Sequence, residues 1–174
     1  MTSRFDTPSG RASSHFEMNM AIAGTYQITI SGRASLSASA RTLLRHAVKA
    51  VLSTHDVPQA KIGLRLVSDE EMAVMNQKHL GHEGPTDVLT FDLRDEDTDC
   101  GLEGEIALCV DTARREGESM GHGVEAELAL YAVHGVLHLL DYRDDVKAAA
   151  AEMHEMEDRI LGSLGLGSVY ASSR

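Results

Sequence analysis

From Tyr26 onward the chain switches between two hydrophobic periods. Tyr26, Ile28 and Ile30 alternate with polar residues, the period of a half-buried strand. Between Ser37 and about His55 the apolar positions Ala40, Leu44, Ala47, Val48 and Val51 recur every three or four residues, which predicts a helix with one buried face. Ile62, Leu64 and Leu66 alternate again. Ser68-Asp69-Glu70-Glu71 reads as a capping box opening a short helix that turns Met72 and Met75 inward. Gly81 to Pro85 breaks the chain, and the strand-like runs Thr86–Leu93 and Glu105–Val110 follow, joined as a hairpin by the acidic stretch from Arg94 to Glu103. Asp111 is positioned to cap a helix through Arg114 and Arg115. After a glycine-rich break at Gly121 to Gly123, a longer helix runs from about Val124 to Leu140. A last helix runs from about Asp145 to Leu161, with Met153, Met156 and Ile160 inward and Gly162 to stop it. The predicted order is β-α-β-α-β-β-α-α-α, without internal repeats and without a second domain.

Composition adds limits to this picture. The 174 residues include 43% hydrophobic ones but no Trp, so the core is built from Leu, Val, Ile, Ala and Met. Residues 1–24 mix Ser, Gly, Pro and Arg without periodicity and read as a flexible N-terminal extension; 25–165 form the domain and 166–174 a tail. No apolar run approaches the ~18 residues of a membrane span, and the start of the chain has no signal-peptide pattern, so a cytoplasmic protein is expected. Cys100 and Cys109 lack CxxC spacing, and Cys109 between Leu108 and Val110 reads as a buried, reduced thiol. The formal net charge of −11 argues against nucleic-acid binding by bulk charge, since phosphate contacts need local Lys and Arg. Arg41, Arg45 and Lys49, four residues apart, offer one such local stripe on the polar side of the first helix.

The candidate chemistry lies on the longer helix. Leu130, Val133, Leu137 and Leu140 form one apolar stripe, and Glu127, Tyr131, His134 and His138 a second beside it. Two histidines four residues apart differ by about 40° around a helix and one turn along it, so both imidazoles reach one ion from the same side. Gly135 between them costs about 1 kcal/mol relative to Ala in a helix interior, which makes sense where another backbone or a substrate must approach closely. Six residues past His138 stands Asp144, completing H-x3-H-x5-D, the spacing of zinc hydrolases that fold a third ligand back after a sharp turn. Asp141 takes the turn position where Gly is usual, and Asp tolerates a left-handed backbone better than most residues. The alternative role for Asp144 is as N-cap of the last helix, a job open equally to Asp145. Three protein ligands predict a catalytic rather than a structural zinc, with the fourth position left to water. The HExxH peptidases put a Glu beside the first histidine as base; here Gly135 stands there, which disfavours a peptidase.

These residues carry a resemblance. His134-Gly135-Val136-Leu137-His138-Leu139-Leu140-Asp141-Tyr142-Arg143-Asp144 resembles the H-G-x-L-H-L-x-G-Y-D-H signature of the bacterial YbeY metalloproteins. Pro85-Thr86-Asp87-Val88-Leu89-Thr90-Phe91 is similar to that family's P-T-D-V-L-S-F, and Gly104-Glu105-Ile106 with Asp111 and Ala113 to its G-E-I…D-x-A stretch. The resemblance runs from about Tyr26 to Leu164. It implies an α+β fold: a single domain with a small mixed sheet of about four strands packed against helices, and a metal site in a cleft between the long helix and the sheet. It also implies a zinc-dependent, single-strand-specific endoribonuclease acting in 16S rRNA 3′-end maturation and ribosome quality control, with ribosomal RNA and the small subunit as partners and neither DNA nor membrane. His134, His138 and Asp144 would hold one Zn²⁺, and Arg41, Arg45 and Lys49 become candidates for RNA contact at the mouth of the cleft. Four departures stand out: Asp144 replaces the family's third histidine, Asp141 its turn glycine, Arg143 its Asp, and Leu80 an Arg present in many members.

Two function classes follow. One is the endoribonuclease, whose general base the sequence leaves open among Asp145, Glu105 and His154. The other is a ribosome-assembly binding factor with weak or lost hydrolysis, which the loss of the Arg at Leu80 favours. His154 is also the next candidate ligand should Asp144 serve only as a cap.

Overall fold

The alternating segments close into one four-stranded sheet, described by a computed structural model over residues 24–32, 34–95 and 101–167. The expected N-terminal extension and C-terminal tail lie almost wholly outside the described residues, as does Cys100. Chain order is β1 (Thr25–Gly32), α1 (Ala38–Thr54), β2 (Gln59–Val67), α2 (Asp69–Leu80), β3 (Val88–Asp92), β4 (Leu102–Cys109), α3 (Val110–Met120), α4 (Gly123–Leu139) and α5 (Lys147–Ser163). In space the strands run β1-β2-β4-β3. β1, β2 and β4 are parallel, with Ile28 opposite Ile62 and Leu64 opposite Ile106; β3 returns antiparallel beside β4, with Thr90 opposite Ile106. The domain is α+β with a mixed sheet, in the element order that the hydrophobic periods predict.

Side chains alternate across β4, and this divides the core in two. Leu102, Ile106 and Leu108 join Ile62, Leu64 and Leu66 against α1, α4 and α5. Ala107 and Cys109 turn to the other face, where Met72 of α2 covers them with Val67 and Leu89. Cys109 is fully buried and free, and burial pushes its thiol pKa up. α4 lies at the centre. From Ala126 to Leu139 every residue is buried except His134 and His138, which are half-exposed. The pattern predicts two stripes on this helix, but the helix is enclosed almost all round because α1, α3, α5 and the sheet each cover one side. Among the described residues no helix is long and apolar enough to cross a membrane.

Three local readings need correcting. Asp111 does not cap α3, whose N-cap is Cys109 with no side-chain hydrogen bond. Its Oδ2 instead accepts from the backbone N–H of Asp69, an orphan donor in the first turn of α2. Neither Asp144 nor Asp145 caps α5, which starts two residues later with Val146 at the N-cap. Gly162 stays helical; the left-handed residue that ends α5 is Gly165, past Leu164.

Candidate metal centre

Two short approaches seat α4 on the sheet. A Cβ at Gly135 would lie 2.6 Å from Ile106 Cγ2 and 3.1 Å from Thr90 Oγ1, so the absent side chain is what lets the helix touch β3 and β4. A Cβ on Gly104 would likewise meet Leu139 Cδ1 at 2.5 Å. This contact places His134 and His138 beside the segment leading into β3.

The chain then turns sharply. Asp141 sits at φ 67°, the left-handed conformation expected there. The Tyr142 N–H donates to Leu137 O and the Asp141 N–H to His138 O, closing α4 with a Schellman motif. The Tyr142 hydroxyl meets His55 Nε2 at 3.0 Å, pinning the turn to the end of α1. Asp144 follows on the exposed side, flanked by an Arg143–Asp145 ion pair.

His134, His138 and Asp144 converge: one ligand atom from each lies within 4.8 Å of the others. His138 Nδ1 donates to the backbone oxygen of Tyr142 at 3.0 Å, and His134 Nδ1 donates to Glu157 Oε1 at 2.7 Å. Carbonyl and carboxylate oxygens only accept, so both rings carry a hydrogen on Nδ1, and in its neutral form each turns the Nε2 lone pair inward. These two Nε2 atoms are 2.9 Å apart, and Asp144 Oδ2 lies 3.8 and 3.9 Å from them. Two facing lone pairs beside a carboxylate repel one another unless a proton or a metal ion sits among them. A tetrahedral zinc with bonds of 2.0–2.1 Å has donor–donor edges of about 3.3–3.4 Å, which the three observed separations bracket. The residues fit a metal ion. Burial opposes charging His134, but the Glu157 hydrogen bond and the charges of Glu157, Asp87 and Asp144 outweigh it and raise its pKa, so the surroundings favour a positive charge here, whether a proton or a metal ion.

Two cavities meet at this centre. One, of about 470 Å³, is bordered by His134, His138 and Asp144 together with Leu80, Asp87 and Asp92. The other, of about 480 Å³, shares Thr86, Asp87 and His134 and extends past His154 and Glu157 to Glu127, Tyr131 and Arg115. Asp87 stands where they join, with Oδ1 held by the Thr86 hydroxyl and the Val88 N–H. Burial pushes the carboxyl of Glu127 and the phenol of Tyr131 above their ordinary ranges.

The remaining candidates are not brought together with the ligands. Arg41, Arg45 and Lys49 lie on α1 and border neither cavity. Glu105 points to the sheet face opposite Ile106 and α4, so it does not reach the centre. Asp145 is paired with Arg143. Of the three suggested bases His154 borders a cavity shared with His134, and its Nδ1 is 2.9 Å from Glu157 Oε2 rather than at the cluster of donor atoms. The residue that sequence reasoning missed is Glu157. The signal was present, because Glu157 falls four residues after Met153 and three before Ile160, a charge on the inward stripe of α5.

Fold and site together define an α+β protein with a candidate metal centre, its donor residues carried on a buried helix and the turn that follows. A family model described as "Endoribonuclease YbeY" matches residues 27–165. An endoribonuclease YbeY from a Nocardioides species is 40% identical over 113 residues, covering 61% of this chain and 76% of the relative. One from Moorella thermoacetica is 38% identical over 117 residues, covering 62% and 75%. A Thermotoga maritima protein solved in solution shares the fold, with TM-score 0.54 at 23% identity over 80% of this chain and 91% of that one. The chain belongs to the YbeY family.

Proposed function

We propose that this protein is a zinc-dependent endoribonuclease cleaving single-stranded RNA in 16S rRNA 3′-end maturation and ribosome quality control, with the small subunit as partner and the cytoplasm as its compartment. The observation that carries this reading is the convergence of two Nε2 lone pairs and the Asp144 carboxylate at a cavity, in a chain of the YbeY family. Two imidazoles and one carboxylate are a donor set that suits zinc. When bound, zinc supplies Lewis acidity toward a phosphoryl oxygen and makes hydroxide available near neutral pH.

The chain's own residues do the rest. α4 fixes His134 and His138 relative to each other, and the Schellman turn brings Asp144 back to them. Asp87, Asp92 and Asp144 surround the cleft, while the nearby Arg94 and Arg143 are held by Asp92 and Asp145. Such a cleft repels a phosphate unless a cation offsets the carboxylates, which makes RNA entry dependent on the metal. Arg41, Arg45 and Lys49 are proposed to contact RNA phosphates on a path outside the two cavities.

The test is incubation of purified protein with a single-stranded rRNA fragment, with and without chelator. Cleavage is expected, with loss under chelator, recovery on adding Zn²⁺, and none by His138→Ala. Cleavage persisting under chelator and in that variant would trace the activity to a contaminating nuclease and overturn the reading. RNA binding without cleavage would favour the assembly-factor alternative, for which the exposed Leu80 at the cleft is the one supporting observation.

A further inference from the structure

Glu157 is 1% exposed, the most deeply buried charged side chain among the described residues. Both of its oxygens are engaged by imidazoles: Oε1 at 2.7 Å from His134 Nδ1, and Oε2 at 2.9 Å from His154 Nδ1. Its place on α5, between Met153 and Ile160, is one that an apolar side chain would fill if packing were all that mattered. A carboxylate there carries a desolvation penalty that only well-placed donors offset. The two ligand histidines differ in what holds them. His138 is fixed by a backbone carbonyl, that of Tyr142, whereas the orientation of His134 depends on one side chain, Glu157.

We infer that Glu157 is the positioning residue of the metal centre. It keeps the hydrogen of His134 on Nδ1, so that Nε2 faces His138 and Asp144, and it raises the ring's strength as a ligand. His154, three residues earlier on the same helix, is the second donor that holds the carboxylate in line. The inference rests on reading His134, His138 and Asp144 as metal ligands.

The probe is Co²⁺, titrated in competition with a chromophoric chelator while its visible absorption is recorded. Glu157→Gln, nearly the same shape, is expected to bind Co²⁺ about 10–100-fold more weakly, with a shifted visible band and unchanged far-ultraviolet circular dichroism. His154→Ala is expected to show a smaller loss in the same direction, because Oε1 still meets His134. A structural role alone would alter thermal stability and leave the affinity and spectrum of the folded protein as they are. Wild-type affinity and spectrum in Glu157→Gln would overturn the inference; should that variant not fold, the same result in His154→Ala, at a partly exposed position, would do so. Failure of the wild-type protein to bind Co²⁺ would instead overturn the ligand assignment beneath it.

Discussion

Gly135 shows how much one residue settles here. In a helix interior glycine is unfavourable by about 1 kcal/mol relative to alanine, so Gly135→Ala would strengthen an isolated helix. In the folded chain the new methyl would press on Ile106 Cγ2 at 2.6 Å, with Ile106 Cδ1 and Thr90 Oγ1 both at 3.1 Å. Ile106 is fully buried and has no room to yield. Overpacking of this kind costs about 1–3 kcal/mol, more than the propensity gain. Gly135→Ala should therefore lower the midpoint of urea unfolding, and an equal or higher midpoint would contradict the close seating of α4. The sequence marks this residue as a point of close approach for a backbone or a substrate; what comes near are the side chains of Ile106 and Thr90 on the sheet. Asp141 was equally legible, since the turn demands a left-handed residue and Asp is among the few that accept it. Glu157 was not recognised: its spacing marks a charge on the inward stripe of α5, but nothing local reports that its partner is His134, 23 positions back along the chain.

At the scale of elements, α2 and α3 are tied by charges that the periodicity does not reveal. Asp69, the first residue of α2, takes two hydrogen bonds from Arg115 of α3, and others from the Cys109 thiol and the Thr112 hydroxyl. Arg115 foremost, then Cys109 and Thr112, hold the Asp69 carboxyl below the usual carboxylate range against the effect of partial burial. A carboxyl depressed in the folded state contributes stability that is complete above its ordinary pKa and is lost as pH falls through the depressed value. Asp69→Asn should then be less stable than wild type at neutral pH, with the gap closing as the pH drops below the carboxylate range. Urea unfolding at several pH values checks this, and a gap that stays constant into acid would show that Asp69 acts through packing and not through charge. The same network explains why Asp111 could not be placed from sequence. Its carboxylate serves the helix next to its own, a choice made by tertiary packing. Helix and strand existence was legible throughout because the apolar periods are long and regular. The ends of α5 were not, since Val146 and Leu164 cap it without a side-chain signal.

The whole molecule joins a net charge of −11 to a cleft edged by Asp87, Asp92 and Asp144, and it does so around two histidines whose Nε2 atoms face each other. Spacing on one helix and a turn was enough to single out the three residues whose donor atoms converge, because α-helical geometry fixes the first two and the turn limits where the third falls. The cavities, the junction at Asp87 and the distance of the α1 stripe from them depend on how α1 and α4 cross, which no period in the sequence encodes. All of it converges on the proposal that one cation is held by His134, His138 and Asp144. The most direct test is an anomalous-difference map from a crystal of the zinc-loaded protein, recorded at the zinc edge. One peak is expected, bonded to the two Nε2 atoms and to the Asp144 carboxylate at about 2.0–2.2 Å. A peak elsewhere, or one that leaves Asp144 unbonded, would contradict the account.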